Sequence, residues 1–352
     1  MRVDDFDFEL PEDRIALRPV APRHAAKQLI VRDGHVRDDC VENLVDHLDA
    51  GDLIVFNDTK VIPSYLLATR RSVNPTPQGD LHTECNLHKR DSPLAWWAFI
   101  KKSKRLHLGD VLSFGEGRVT ATITEKRDGG EVLLTFDVAA GTLESVLAEI
   151  GLMPLPPYIA SKRAVDDKDK EDYQTLFARK EGAVAAPTAS LHFTEELLAK
   201  LADKQIQTAY LTLHVGAGTF LPMKVDDTKD HVMHAEWGVV SPDLAAQINA
   251  THRNGKRVIA VGTTVLRLLE SATDEQGVTH PFSGDTSIFI TPGYHFRCVD
   301  LLMTNFHLPK STLFMLVCAF AGMETMKSAY EYAITHGYRF YSYGDSSLLF
   351  RQ

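Results

Sequence analysis

The sequence is short of cysteine, of long apolar runs and of positive charge, and each shortage excludes a class of protein. Its 352 residues hold four cysteines, Cys40, Cys85, Cys298 and Cys318, scattered along the chain. That scatter fits neither a disulfide framework nor a zinc ribbon, and it predicts a reduced, cytoplasmic setting. A membrane-spanning helix needs roughly 20 consecutive apolar residues. The longest such stretch, Leu313–Ala321, falls short, so no membrane partner is expected. The opening Met1-Arg-Val-Asp-Asp-Phe-Asp7 is acidic and has no apolar core, so no secretion signal is expected. Against 47 acidic residues stand 38 Lys and Arg, a net charge of -9. Bulk electrostatics therefore argue against high-capacity nonspecific binding of nucleic acid. A local basic patch could still hold one phosphate backbone.

What is present is ordinary for a globular protein. The chain is 44% hydrophobic and 24% charged, and its length suggests about two domains. Residues 1–69 read as mixed α/β, with a helical spacing at Val41–Leu48 and a buried-type strand at Asp52–Phe56. From 70 to 138 the texture changes to short strands, among them Ala95–Ile100, Asp110–Phe114, Arg118–Thr124 and Glu131–Phe136, with Asp128-Gly-Gly130 as a hairpin turn. This predicts a small β-barrel inserted into a larger α/β domain made of 1–69 and 139–352. Helix starts are marked by Thr194, by Ser241 before Pro242, and by Ser311. The charged Ser161–Asp172 has little apolar surface to bury and reads as a mobile loop.

Several clusters carry candidate chemistry. Gly216-Ala-Gly218-Thr219 follows a strand, but Leu221 stands where a dinucleotide fingerprint needs glycine, so only close backbone approach to a ligand is inferred. His231-Val-Met-His234-Ala-Glu236 would put two imidazoles on one face if helical, which supports a rival reading as a metal-dependent hydrolase. Alternatively Glu236, beside Trp237, could be an acid–base group. The small-residue run Gly182–Phe193 carries Thr188, Ser190 and His192, and such a run leaves room for a ligand near a proton carrier. Lys101, Lys102, Lys104 and Arg105 follow Trp96-Trp97, a pattern that suits a phosphate backbone with stacked bases. Lys310 and Ser311 stand at a helix start, where an anion could bind.

Taken together, these clusters resemble a known family. Asn57-Asp58-Thr59-Lys60, Asp172–Ala178, Gly182–Thr194, Leu213–Phe220, His231–Trp237, Gly262–Thr264, Thr304–Thr312 and Tyr341–Asp345 occur in that order, and their sequence is similar to that of the S-adenosylmethionine:tRNA ribosyltransferase-isomerases of queuosine synthesis. The resemblance implies an L-shaped protein: a large α/β domain with an open, barrel-like sheet, and an inserted small antiparallel β-barrel. It implies transfer of the ribosyl part of S-adenosylmethionine to the aminomethyl group of 7-aminomethyl-7-deazaguanine at the tRNA wobble position. Epoxyqueuosine forms, and adenine and methionine leave. S-adenosylmethionine is then a substrate, no cofactor or metal is expected, and the protein is expected to be a monomer.

That chemistry needs a base for the carbon beside the sulfonium, an acid for adenine and a site closed to water. His192, His214, Glu236 and Asp58 are the expected catalytic groups. Gly216, Gly218, Thr219, Thr188, Arg267, Asn305, Lys310, Tyr343 and Asp345 are expected against the substrate, with Arg267 on the methionine carboxylate. Lys101, Lys102, Lys104 and Arg105 are expected against tRNA. Five positions depart from the family pattern: Ser190 for glycine, Leu221 for arginine, Ile100-Lys101 for Arg-Pro, and Lys60 for arginine.

Overall fold

Leu53-Ile-Val-Phe-Asn57 and Val258-Ile-Ala-Val261 are apolar almost throughout, and both are strands buried along their whole length. Sequence of this kind belongs to parallel strands covered on both faces. The computed structural model describes residues 1–71, 80–127, 130–139, 141–216, 223 and 225–352. In chain order, β1 (Lys27–Arg32) and β2 (His35–Cys40) form a hairpin, and β3 (Leu53–Asn57) is followed by β4 (Thr59–Val61). Then come β5 (Tyr65–Arg71), β6 (Leu81–Ser92), β7 (Ala95–Ile100), β8 (Val111–Phe114), β9 (Val119–Lys126) and β10 (Glu131–Asp137). After β11 (Lys180–Ala183) follow β12 (Gln207–Leu213), β13 (Glu236–Val240), β14 (Val258–Val261), β15 (Phe282–Thr286), β16 (Leu301–Asn305) and β17 (Ser346–Phe350).

The chain divides into two units, one of Met1–Thr59, Glu171–Lys180 and Ala186–Gln352, the other of Lys60–Lys170 and Glu181–Ala185. The first is built on an open nine-stranded sheet of order β15-β13-β12-β3-β14-β16-β17-β1-β2. At its middle β12, β3, β14 and β16 run parallel, so their carboxyl ends open on one edge. One face carries Ile54, Phe56, Ile259, Val261, Leu301 and Met303, covered by Phe177, Phe193, Leu197 and Leu201. Phe56 stacks on Phe177 at 4.0 Å and meets Phe193 edge-on at 4.7 Å. On the opposite face lies the helix Thr263–Ser271, held so close to β13 that a Cβ on Gly238 would come within 2.8 Å of Leu268. Thr194, Ser241 and Ser311 cap their helices as the sequence predicts, each accepting an amide three residues on.

The second unit contains a closed antiparallel barrel, β10-β7-β6-β5-β8-β9. Alternation places Cys85, Leu87, Phe114, Ala121, Ile123, Val132 and Leu134 in its core. The expected α/β domain with an open sheet, accompanied by a small antiparallel barrel, is the observed architecture. Asp128-Gly129, expected as a hairpin turn, lies outside the described residues.

Two expectations are corrected here. Ser161–Asp172 is tied down instead of forming a mobile loop. Asp169 is fully buried, with Arg163 bonded to both its oxygens (2.8 and 2.6 Å) and the Asp166 amide donating to it at 2.9 Å. An ion pair thus does the ordering that apolar surface could not. The indoles of Trp96 and Trp97 are 2% and 3% exposed, the second beneath the Arg127 guanidinium at 3.5 Å. Both serve packing and present no surface on which an RNA base could stack.

Candidate active site

The carboxyl edge of the central strands is where an open α/β sheet gathers ligands, because chain leaving adjacent strands splays apart there. Here β3 and β16 end in polar residues, Asn57 and Asn305. Asn57, terminating the apolar β3, is completely buried and fastens the end of β12: its amide donates to the Leu213 carbonyl (2.9 Å) and its carbonyl accepts from the Leu213 amide (3.0 Å). It also accepts the Thr59 amide at 3.1 Å. Asp58, Thr59 and His214 are thereby brought together. The Thr212 hydroxyl donates to Asp58 Oδ1 at 2.7 Å, and Thr59 Oγ1 lies 2.9 Å from His214 Nδ1.

The direction of this hydrogen-bond chain sets the tautomer of His214. The Thr59 hydroxyl reaches the Lys180 carbonyl at 3.4 Å, an oxygen that can only accept. Thr59 therefore accepts from Nδ1–H of His214, and Nε2 keeps its lone pair. Burial holds the His214 pKa below the ordinary histidine value, opposed by the nearby Asp58 carboxylate. The imidazole is therefore uncharged at pH 7.

A second group lies at the end of β16. The turn Thr188–His192 sits over this edge, with Ala189 against Gly262 at the end of β14. The Thr188 hydroxyl donates to Asn305 Oδ1 at 3.0 Å, which leaves the Asn305 amide to donate to His192 Nε2 at 3.3 Å. His192 then carries its proton on Nδ1. Burial pushes its pKa down to about 4, with Asp345 working against that shift. His192, Tyr343, Leu191 and Arg23 line a narrow crevice of only about 10 Å³, room for no more than about one water. Asp345 is buried against Arg339, whose Nη2 lies 3.0 Å from Oδ1 and whose amide donates to Oδ2 at 2.8 Å.

Glu236 stands apart from these. The His214 amide donates to the Trp237 carbonyl at 3.0 Å, so His214 and Trp237 are directly opposed across β12 and β13. Alternation along β13 then turns Glu236 to the other face, towards the helix that crosses Gly238. There Arg267 Nη1 donates to Glu236 Oε2 at 2.5 Å, and the Gly216 amide donates to Oε1 at 3.2 Å. Arg267 Nε donates to the Ile288 carbonyl at 3.2 Å, while its buried Nη2 has no acceptor among the described residues. The neighbour of Glu236 is thus a guanidinium, and the indole of Trp237 points away from it.

Other expected residues fall elsewhere. Gly218, Thr219 and Leu221 lie outside the described residues. Lys310 Nζ is exposed and paired with Asp4 and Asp7, each at 3.0 Å, which leaves it no role as an open anion site. Lys101, Lys102, Lys104 and Arg105 are exposed on the barrel unit, with Lys101 paired to Glu84 at 2.6 Å. His231–Ala235 is irregular, so its two imidazoles do not share a helix face; His231 instead meets Phe289 edge-on at 5.1 Å. Among the described residues no three His, Cys, Asp or Glu side chains form a metal-binding group. The hydrolase reading loses its third ligand, because Glu236 is committed to Arg267.

Reading the residues one by one missed Thr59, Thr212 and Arg339. Asn57 carried the usable signal, an amide closing a run of four apolar residues, since a buried polar group must find partners.

The chain thus combines an open α/β sheet, with buried imidazoles near its carboxyl edge, and an antiparallel barrel joined to it in sequence. The chain matches the family model described as queuosine biosynthesis protein over residues 3–349. It is 55% identical over 362 residues, covering 100% of this chain and 99% of the relative, to a Caulobacter vibrioides protein named S-adenosylmethionine:tRNA ribosyltransferase-isomerase. A Brucella melitensis protein of the same name is 57% identical over 359 residues, covering 100% and 98%. The crystal structure of S-adenosylmethionine tRNA ribosyltransferase from Thermotoga maritima is similar with a TM-score of 0.54 and 30% identity, over 98% of this chain and 99% of that one. The chain belongs to the queuosine biosynthesis family and is an enzyme of it, a transferase-isomerase. Among the described residues no helix is long and apolar enough to cross a membrane.

Proposed function

We propose that this enzyme moves the ribosyl group of S-adenosylmethionine onto 7-aminomethyl-7-deazaguanine at the wobble position of tRNA and isomerises it to epoxyqueuosine, with adenine and methionine leaving. What supports this reading is the family match together with two buried imidazoles near one sheet edge, His214 being held through Thr59 by a directed hydrogen-bond chain. A sulfonium makes the hydrogens on its neighbouring carbon acidic. His214 Nε2 is suited to take one, with Thr59 fixing the tautomer and Asp58 stabilising the imidazolium that forms. His192, kept neutral by burial, has Nε2 on the Asn305 amide and its other N–H facing the Arg23 carbonyl, so it braces this edge of the sheet. Arg267 and Glu236, on the other face of the sheet from His214, hold the Gly216 amide and so the chain that leaves β12. Thr188 and Asn305 hold His192 through its Nε2, the Asp345 carboxylate lies nearby, and Tyr343 lines the crevice beside it.

The test is incubation with S-adenosylmethionine and tRNA bearing the deazaguanine precursor. Free adenine should appear in step with the mass increase of the wobble nucleoside. A methylated tRNA with S-adenosylhomocysteine released, or an unchanged tRNA, would overturn the reading.

The exposed cations of the barrel unit are proposed to meet tRNA phosphates, since Lys and Arg neutralise a backbone without reading sequence. Lys104→Ala should weaken tRNA binding a few-fold and flatten the plot of log affinity against log salt by about one charge. Filter binding between 50 and 200 mM salt measures both, and an unaltered slope would remove Lys104 from the contact.

A further inference from the structure

Trp237 is a residue that the reaction scheme above does not use. Its neighbours in β13, Glu236 and Gly238, are buried, yet the indole is 44% exposed. It lies cross-strand from His214, and the two rings stack with centroids 5.6 Å apart and planes 14° from parallel. The imidazole is the proposed base, so a flat aromatic surface adjoins the atom that would take the proton. Large aromatics gain most from being covered, and an indole face can be covered by any planar ring of similar size. We infer that Trp237 is a positioning residue which stacks on a purine-type base of the substrate and so sets the ribose against His214. The inference deepens the proposed function and rests on it. The ring has two possible sources, the adenine of S-adenosylmethionine and the deazaguanine of tRNA.

Fluorescence separates them. The chain has three tryptophans, and Trp96 and Trp97 are buried in the barrel unit, so quenching on ligand addition reports Trp237. Quenching by S-adenosylmethionine alone would assign the adenine, and quenching by tRNA alone would assign the deazaguanine. Trp237→Phe should abolish the quenching, and its ring should recover most of the affinity that Trp237→Ala loses. Loss of one base-stacking contact corresponds to roughly tenfold in affinity, so Trp237→Ala should raise KM for that same substrate by about that factor with little change in kcat. Circular dichroism of the variant would confirm that it is folded. No quenching by either ligand, quenching that survives in Trp237→Phe, or an unmoved KM in Trp237→Ala would each overturn the inference. These outcomes are distinct from failure of the proposed function, which would show as no adenine release by the wild-type enzyme.

Discussion

Replacing His214 by alanine is expected to lower kcat for adenine release between a hundredfold and ten thousandfold, the range spanned by removal of a general base. KM for S-adenosylmethionine should move far less, because the imidazole acts in the transition state. The wild-type pH profile is the sharper test. Burial lowers the His214 pKa, so the neutral, active form persists at pH values where a free histidine is already protonated. Activity should therefore be flat through pH 7 and fall on acidification only below the usual histidine midpoint of about 6.5. His214→Ala should lose that acidic limb along with the rate. Thr59→Val, which removes the acceptor at Nδ1, should lower kcat and keep the limb, since the imidazole is still present but free to rotate. A His214→Ala enzyme within threefold of wild type, or one that keeps the same acidic limb, would show that the base is another group.

Arg267→Ala carries the second large effect. The Arg267 and Glu236 side chains are 4% and 5% exposed, so removing the cation strands a carboxylate away from water. Breaking one side of a buried pair costs roughly 3–5 kcal/mol, which urea unfolding of the variant would register as a lower midpoint. Arg267→Ala should also raise KM for S-adenosylmethionine, through loss of the support that Glu236 gives the Gly216 amide. The double variant Arg267→Met with Glu236→Leu separates stability from function. An apolar replacement of similar volume should recover much of the stability, because neither charge then needs desolvating. Turnover should stay low. If the double variant regains activity together with stability, the pair is only a packing element. If Arg267→Ala is as stable as wild type, the pair is not the buried one described here.

Much of the fold was legible because its signals are local. Apolar runs such as Leu53–Asn57, hydroxyl caps at Thr194, Ser241 and Ser311, and closely spaced strands from Ala95 to Phe136 each act within a few residues. Signals that depend on which side chains the fold buries were misread. Ser161–Asp172 looked unstructured because its ordering agent is one buried carboxylate, Asp169, which composition alone presents as another surface charge. Trp96-Trp97 looked like a stacking platform because nothing in two adjacent indoles reveals that a barrel closes over one and an arginine covers the other.

The amino-acid order by itself determined the family, the alternation of strand and helix, and the residue types available for proton transfer. These follow from spacing and side-chain chemistry. Only the tertiary structure decided which of those residues act together. Cross-strand pairing of His214 with Trp237 put the imidazole on one face of the sheet, and the two-residue period of a strand turned Glu236 to the other, into the guanidinium of Arg267. A change of one position in register would reverse both assignments, and register is set by neighbouring strands that lie far away along the chain.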